Sequence, residues 1–372
     1  MEWKHECAPG SLLPDRGVRV VRSLHAMSSR LQPDALAKVD ALEADGRFLE
    51  AIEVLNSANR LRRDPNVERR LVGVRHRAFE ELGRSTSPTW EFPPAAGELP
   101  RSNGIPTVAP NALSPQAVKA GISNGGCLLV PGLVPQHLVD RLVDDIDRAI
   151  EGYDAHAAGS PVSDTIPWFE PFTLAERYRR GGKVPAKRAS VRSGGGVWTA
   201  DSPRALYDLA ETFDEVRLSP VITGFLGERA ALSMNKCTLR RVPLDTLNAS
   251  WHQDGAFLGT PIRTLNVWLA LSHGGRDAPG LDILPRRLDG IVETGTEGSI
   301  FPWAVSPLKV EEASDGTPIC RPVFEPGDAL LFDELFLHRT ACEPEMTRER
   351  YAIETWLFAP SVYPDKQIPL VV

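Results

Sequence analysis

An imidazole and a carboxylate stand two residues apart in the stretch Ser250-Trp251-His252-Gln253-Asp254-Gly255. On an extended strand, residues i and i+2 face the same way, so His252 and Asp254 can reach one ion together without a special turn. Gly255 permits close approach of backbone or ligand beside them. Taken alone, the pair has an ordinary alternative reading as the polar edge of a strand. A second histidine, His338, lies 86 residues further on in "EPGDALLFDELFLHRT", after a Pro-Gly-Asp turn and a strand. Two histidines and one carboxylate on neighbouring strands make a facial set that leaves three adjacent positions of Fe(II) open. Non-haem oxygenases use those positions for a bidentate cosubstrate and O2. A bidentate 2-oxo acid then needs a cation for its far carboxylate. Arg350, which opens the strand "RYAIETW", offers a guanidinium fork suited to that task. Thr340, two residues past His338, shares its strand face and adds a hydroxyl donor.

The elements that must position these residues are short strands. After Glu228, "AALSMNKCTLRRV", "TLNVWLALS", "GLDILP", "PVFEPGDALLFDE" and "RYAIETWLFAP" are rich in β-branched, aromatic and leucine residues and bounded by Gly, Pro and Asp. Strand follows strand with no helix of any length expected between them, which predicts an all-β sandwich or barrel rather than a parallel α/β sheet. Upstream, residues 1–33 show no period and form an N-terminal extension. Residues 34–84 read as helices, with Leu36, Val39 and Leu42, then Phe48, Ile52 and Leu55, then Val67, Leu71 and Val74 at helical spacing. Asp64-Pro65 restarts the last of these. The segment resembles a tetratricopeptide-like helix pair with an extra helix, read either as an appendage packed on the main domain or as a protein-binding module. Residues 85–113, with six prolines, read as a linker or strap. A domain from 114 to 372 follows, beginning with a helix, a strand at Cys127–Val130 and an amphipathic helix.

The order "HQD", "LNVWLAL", "GLDILP", "PGDALLFDE", "LHRT" and "RYAIE" resembles the phytanoyl-CoA dioxygenase family, over roughly residues 115–360 and most clearly from 250 to 358. The resemblance implies a double-stranded β-helix (jelly-roll, cupin-like) core with flanking helices, Fe(II) and 2-oxoglutarate as metal and cosubstrate, and O2 as oxidant. It assigns His252, Asp254 and His338 to iron. It assigns Arg350 and Thr340 to the distal carboxylate of 2-oxoglutarate, with Arg348 as the other candidate anchor, and Trp268 to the wall of the cosubstrate pocket. Asn235 or Lys236 would supply another polar contact. The implied reaction is hydroxylation of an aliphatic C–H, with release of succinate and CO2. Halogenating members of the wider superfamily have a small residue where this chain has Asp254. Where relatives often read "LPGSH", this chain reads "ILPRRL", which puts Arg286 and Arg287 near the expected pocket rim. With the basic run Arg177, Arg179, Arg180, Lys183, Lys187, Arg188 and Arg192, they suggest an anionic small-molecule substrate. That run is otherwise a solvated face, and His273 reads as a surface-loop residue without a partner.

Composition limits the remaining classes. The 372 residues carry a net charge of -7, with 42% apolar and 24% charged residues. That balance suits a soluble globular protein and argues against general nucleic-acid binding. Five scattered cysteines without a CxxC suggest free thiols. No apolar run approaches a membrane span, so a cytoplasmic location is expected. Two other classes stay open: a protein-interaction scaffold using residues 34–84 with a retired oxygenase domain, and a cupin-type isomerase or hydrolase that uses the metal without 2-oxoglutarate.

Overall fold

The computed structural model of the chain describes residues 35–82, 97–174, 176–179, 184–244, 249–259 and 261–372. The expected extension 1–33, the first part of the proline-rich stretch, and Arg180 and Lys183 of the basic run lie outside them, as do the side chains of Arg177 and Arg179.

Three helices come first: α1 (35–44), α2 (Phe48–Leu61) and α3 (Pro65–Leu82). A hairpin of β1 (Arg101–Ser102) and β2 (Ile105–Pro106) leads to α4 (Pro115–Gly125), β3 (Cys127–Val130) and the 22-residue α5 (Gln136–Ala157). Helices α6 (Val162–Thr165), α7 (Glu176–Arg179) and α8 (Val184–Ser193) precede β4 (Gly196–Trp198), α9 (Pro203–Glu215) and α10 (Leu218–Leu226). The remaining strands are β5 (Ala231–Ser233), β6 (Thr238–Val242), β7 (Thr264–Ala270), β8 (Gly280–Ile283), β9 (Ala329–Phe332), β10 (His338–Ala341), β11 (Arg350–Phe358) and β12 (Pro369–Val371). Helices α11 (Gly255–Leu258) and α12 (Pro307–Ser314) interrupt them.

Local sequence explains where elements begin and end. Ser114 caps α4, its Oγ accepting from the Ala117 amide at 3.1 Å, with Pro115 at the first helical position and Gly126 in the left-handed conformation at the other end. Such a cap contributes about 1 kcal/mol. The same device makes α12, which the sequence reading did not foresee: Ser306 caps it and Pro307 starts it. The stretch "AALSMNKCTLRRV", expected as one strand, breaks into β5 and β6 because residues 234–236 form a turn. That turn carries Asn235 and Lys236.

The strands form a larger sheet in the order β12-β5-β11-β7-β9-β3, with β6 also on β11 and β4 on β6. A smaller sheet pairs β8 with β10, extended by isolated bridges at His252↔His338 and Ile283↔Cys320. Every pairing between named strands is antiparallel. The sheets are therefore antiparallel, and the helices that flank them hold more of the described chain than the strands do.

Strand periodicity assigns each face its environment. On β7 and β11, Leu265, Val267, Leu269, Ile353 and Leu357 point to one side and join the core built with α4, α5, α9 and α10. The alternate residues Trp268, Ala270 and Ala352 point the other way, with Phe332 of β9, and pack with Leu281 and Ile283 of the smaller sheet and Phe336 on its approach. Arg350, Glu354, Trp356 and Asn266 share that second face, and there the two sheets leave a cavity. Helices α1–α3 pack on the outside: Val39, Ile52, Leu55, Leu71 and Val74 cluster with Tyr207 of α9 and Val371 of β12. Ion pairs seal that seam, among them Arg204 to Glu68 at 2.6 Å and Arg60 to Glu211 at 2.7 Å.

Candidate metal centre

His252 and His338 face each other across an antiparallel bridge. The His252 amide donates to the His338 carbonyl at 3.0 Å, and the His338 amide donates back at 3.1 Å. Their ring centroids are 4.5 Å apart. Each Nδ1 hydrogen-bonds a carbonyl two residues earlier, Ser250 at 2.9 Å and Phe336 at 3.0 Å. A carbonyl can only accept, so Nδ1 carries the proton in both rings and each Nε2 keeps its lone pair for a metal.

Asp254 departs from the strand geometry expected of it. Its backbone is helical (φ -59°, ψ -31°) and caps α11, so the carboxylate reaches the histidines from a turn, not a strand face. The turn is tight: the Gly255 amide donates to the Glu334 carbonyl at 2.9 Å, and a Cβ on Gly255 would lie 2.8 Å from Ile291. Gln253, fully buried between the two ligands, fixes the turn. Its Nε2 donates to the Gly290 and Leu335 carbonyls at 3.0 and 2.6 Å, and its Oε1 accepts from the Val292 amide at 2.7 Å. Asp254 Oδ1 lies 3.7 Å from His252 Nε2, and one donor atom from each of His252, Asp254 and His338 falls within 4.8 Å of the others.

The donor set fits a metal. Asp254 Oδ1 is buried with no hydrogen-bond partner, while Oδ2 accepts only a long 3.4 Å bond from Asn266. Burial, helped by the neighbouring His338, pushes the His252 imidazole down to about 4, and burial lowers His338 as well, so both are neutral ligands at neutral pH. Burial raises the Asp254 carboxyl to about 6, against the pull of His252 and Lys236. A cation among these three reverses that last shift and uses the orphaned oxygen. Two imidazoles and a carboxylate suit a first-row divalent transition metal.

The cavity that holds the three has a volume of about 340 Å³. Arg350 lies in its wall and is 1% exposed, donating from Nη1 to the Gly280 carbonyl at 3.0 Å and lying 5.4 Å over the Trp268 ring. Its Nε has no partner, and no carboxylate lies within ion-pair distance among the described residues. Burial lowers its pKa to about 10, which still leaves it cationic. Glu354, two pleats along β11, is engaged by Arg240 at 2.8 Å and accepts from Thr238 at 3.1 Å. Burial works to raise its carboxyl, but Arg240 and Arg350 together hold it below the ordinary value. Trp268 is 2% exposed and packs on Phe324, yet it also lines the cavity with an unpartnered Nε1. Thr340, on β10, lines the cavity beside His338. Asn235 reaches the wall, but its Oδ1 accepts from the Ile368 amide at 3.0 Å and from Ser233.

Other expected site residues lie elsewhere. Arg286 and Arg287 do not line this cavity. Arg286 donates to the Ala313 carbonyl at 2.6 Å and pairs with Asp315 at 3.0 Å, and Arg287 pairs with Asp333. Both follow the turn at Pro285 away from the metal donors, toward acidic groups 29 and 46 residues on. Arg348 is mostly exposed and pairs with Asp277. In the basic run, Arg188 is held by Asp201 and Arg192 by Asp154. His273 sits at the surface, as expected, but with a partner, Glu325 at 2.8 Å.

Sequence reasoning missed the wall around His252. Phe257, Trp303 and Trp356 stand there, with ring centroids 5.7 Å between Phe257 and Trp356 and 5.9 Å between Phe257 and Trp303. Lys236 Nζ lies 4.7 Å from the centres of both the Phe257 and Trp356 rings. Only its place in "MNKCTL" marked it in the text.

No protein-family model matches the chain. No curated protein matches it either. Among solved structures, the chain is similar to the epimerase SnoN in complex with Fe3+, alpha-ketoglutarate and nogalamycin RO (TM-score 0.41, 15% identity, 67% of this chain and 85% of that one). It is similar to SnoK, a non-haem, alpha-ketoglutarate-dependent carbocyclase from nogalamycin biosynthesis (TM-score 0.44, 14% identity, 70% and 89%). It is also similar to EctD from S. alaskensis with 2-oxoglutarate and 5-hydroxyectoine (TM-score 0.44, 17% identity, 74% and 85%). Among the described residues no helix is long and apolar enough to cross a membrane.

Proposed function

We propose that the chain is an Fe(II)- and 2-oxoglutarate-dependent dioxygenase of the phytanoyl-CoA dioxygenase type, with residues 114–372 as a double-stranded β-helix domain, and that it hydroxylates an aliphatic C–H of a small molecule. One observation carries this reading: a two-histidine, one-carboxylate donor set opens into the same cavity as a buried arginine that lacks an anion. A buried guanidinium without a counter-ion is costly unless a ligand supplies one. 2-Oxoglutarate has the required form, an oxo acid group to chelate a metal and a second carboxylate beyond it.

His252, Asp254 and His338 would hold iron through Nε2, Oδ1 and Nε2. Bound iron and 2-oxoglutarate would supply the oxidation itself, turning O2 and the oxo acid into succinate, CO2 and a hydroxylated product. The rest falls to the chain. The Ser250 and Phe336 carbonyls keep the two imidazoles in the tautomer that presents Nε2. Arg350 pairs with the distal carboxylate and Thr340 donates to it, while the Trp268 indole forms the floor beneath the guanidinium. Phe257, Trp303 and Trp356 exclude water on the His252 side. The full-length carboxylate at Asp254 closes the position that a halide would need, which favours hydroxylation.

The test is anaerobic. Fe(II) and 2-oxoglutarate added to the metal-free protein should give the weak visible charge-transfer band of a chelated 2-oxo acid. Neither Fe(II) alone nor the His252→Ala protein should give it. Metal binding by the wild type with no band would remove 2-oxoglutarate from the reading.

A further inference from the structure

The cavity contains a second cation with no ion-pair partner, although Asp254 and Glu354 attract it from further away. Lys236 lines the cavity, and no carboxylate lies within ion-pair distance of its ammonium among the described residues. The residue keeps some solvent exposure, and its ammonium rests against the Phe257 and Trp356 rings at 4.7 Å from each. Aromatic faces attract a cation but do not neutralise it.

Lys236 and Arg350 enter the cavity at separate points, Lys236 resting on Trp356 further along β11. Arg350 opens β11 and Trp356 is six residues along it on the same face, a separation of roughly 20 Å between backbones. A single 2-oxoglutarate, with one carboxylate committed to the metal, has one left to pair with a cation, and Arg350 is the cation nearer the base. Lys236 is on the mouth side, next to His252 and Asp254. The surroundings there are aromatic: Phe257 and Trp356 line the cavity, and Trp303 stands beside Phe257 nearly at right angles to it, outside the lining. Phe257 and Trp303 flank His252, and Phe301 stacks on Trp303 with centroids 5.0 Å apart and planes within 5°, itself 46% exposed.

We infer that Lys236 is the residue that recognises the substrate's anionic group, and that the substrate is a small organic acid with an apolar, ring-like body that lies against Phe257. The inference rests on the dioxygenase reading above. It moves anion recognition from Arg286 and Arg287, which are engaged elsewhere, to a residue inside the cavity. The acid group held at Lys236 fixes one end of the substrate, so the C–H presented to the metal belongs to the ring body.

The experiment uses 2-naphthoate and its uncharged partner 2-naphthamide as probes, titrated calorimetrically into protein loaded anaerobically with Fe(II) and 2-oxoglutarate. The wild type should bind the acid tighter than the amide by roughly tenfold or more, the scale of one charge-assisted contact. Lys236→Met should erase that preference and Lys236→Arg should keep it, with 2-oxoglutarate affinity unchanged in both. Three results would overturn the inference: no acid preference in the wild type, a preference that survives Lys236→Met, or a loss of 2-oxoglutarate affinity in Lys236→Met. The acid–amide comparison is repeated on metal-free Arg350→Ala protein, where, among the described residues lining the cavity, Lys236 is the remaining cation without an ion pair, and the preference must persist. A wild type that takes up no 2-oxoglutarate then sinks the dioxygenase reading alone, and Lys236 is still judged by its own titration.

Discussion

Two buried polar regions of this protein are built on opposite rules. At the seam between helices α1–α3 and the sheet, the charged groups have protein partners, either an opposite charge or neutral oxygens. Glu68 has no exposed surface and takes Arg204 at 2.6 Å and Asn59 at 3.2 Å, and Arg75 donates to the Val371 carbonyl at 3.0 Å and to Asn56 at 3.3 Å. In the cavity, Asp254 Oδ1, Asn266 Oδ1, Trp268 Nε1 and Arg350 Nε are buried with no partner. Buried polar groups in proteins are normally satisfied, so a concentration of unsatisfied ones at one place marks where a ligand belongs. At the seam Glu68 and Arg75 are bonded within the protein, whereas the cavity gathers four unpartnered polar atoms around the two histidines.

The contrast can be broken from either side, and the largest effect is expected in the cavity. Arg350→Ala should weaken 2-oxoglutarate binding by about 2–5 kcal/mol, the range for removing one partner of a buried charge pair, measured by titration of the charge-transfer band. An unchanged affinity would mean that the arginine is structural. At the seam, Glu68→Gln should cost about 3 kcal/mol of stability by leaving the Arg204 guanidinium unpaired, seen in urea unfolding, while Fe(II) and 2-oxoglutarate affinities stay at wild-type values. Loss of both would show that the helices support the site.

A smaller and graded effect comes from pH. Metal binding needs Asp254 ionised, and its carboxyl is raised to about 6. Fe(II) affinity should therefore fall about tenfold per pH unit below that point. His252, held down to about 4, adds no competition in this range. Stability of the metal-free protein should change far less. The raised Asp254 pKa contributes stability that is present below its ordinary 3.8 and lost as pH rises through about 6. The depressed His252 pKa contributes stability that is present above its ordinary 6.5 and lost as pH falls toward about 4. Over the shared window the two oppose each other. A pH dependence of metal-free stability left unchanged by Asp254→Asn and by His252→Gln would show that these two groups are not buried as described. The smallest effect is at Arg286, which should tolerate Ala with a stability change within about 0.5 kcal/mol and no change in substrate KM, because it faces Ala313 and Asp315 instead of the cavity.

The sequence told much about this site where chemistry and strand period coincide, and little where the third dimension decides. His252, Asp254, His338, Thr340 and Arg350 all line the cavity, and each was marked by its type and its place beside a strand. The spacing of His252 and Asp254 was informative for an incomplete reason, since Asp254 arrives on a helical turn that Gln253 and Gly255 hold. Arg286 and Arg287 were misleading because a turn at Pro285 sends two adjacent arginines to carboxylates far along the chain. Lys236 was nearly invisible for the same physical reason. Its meaning depends on Phe257 and Trp356, one just past the metal donors and the other 120 residues further along the chain. For the sheets, alternation on β7 and β11 was legible. The break between β5 and β6 was not, since residues 234–236 carry no glycine or proline to announce it.

The bridge between His252 and His338 has one more consequence. These two residues lie 86 apart in sequence, and the stretch between them contains β7, β8 and β9, so a ligand held by both imidazoles closes a large ring of chain. Iron held by the folded chain alone would act as a reversible staple across these strands, adding stability that grows with the logarithm of the free metal concentration.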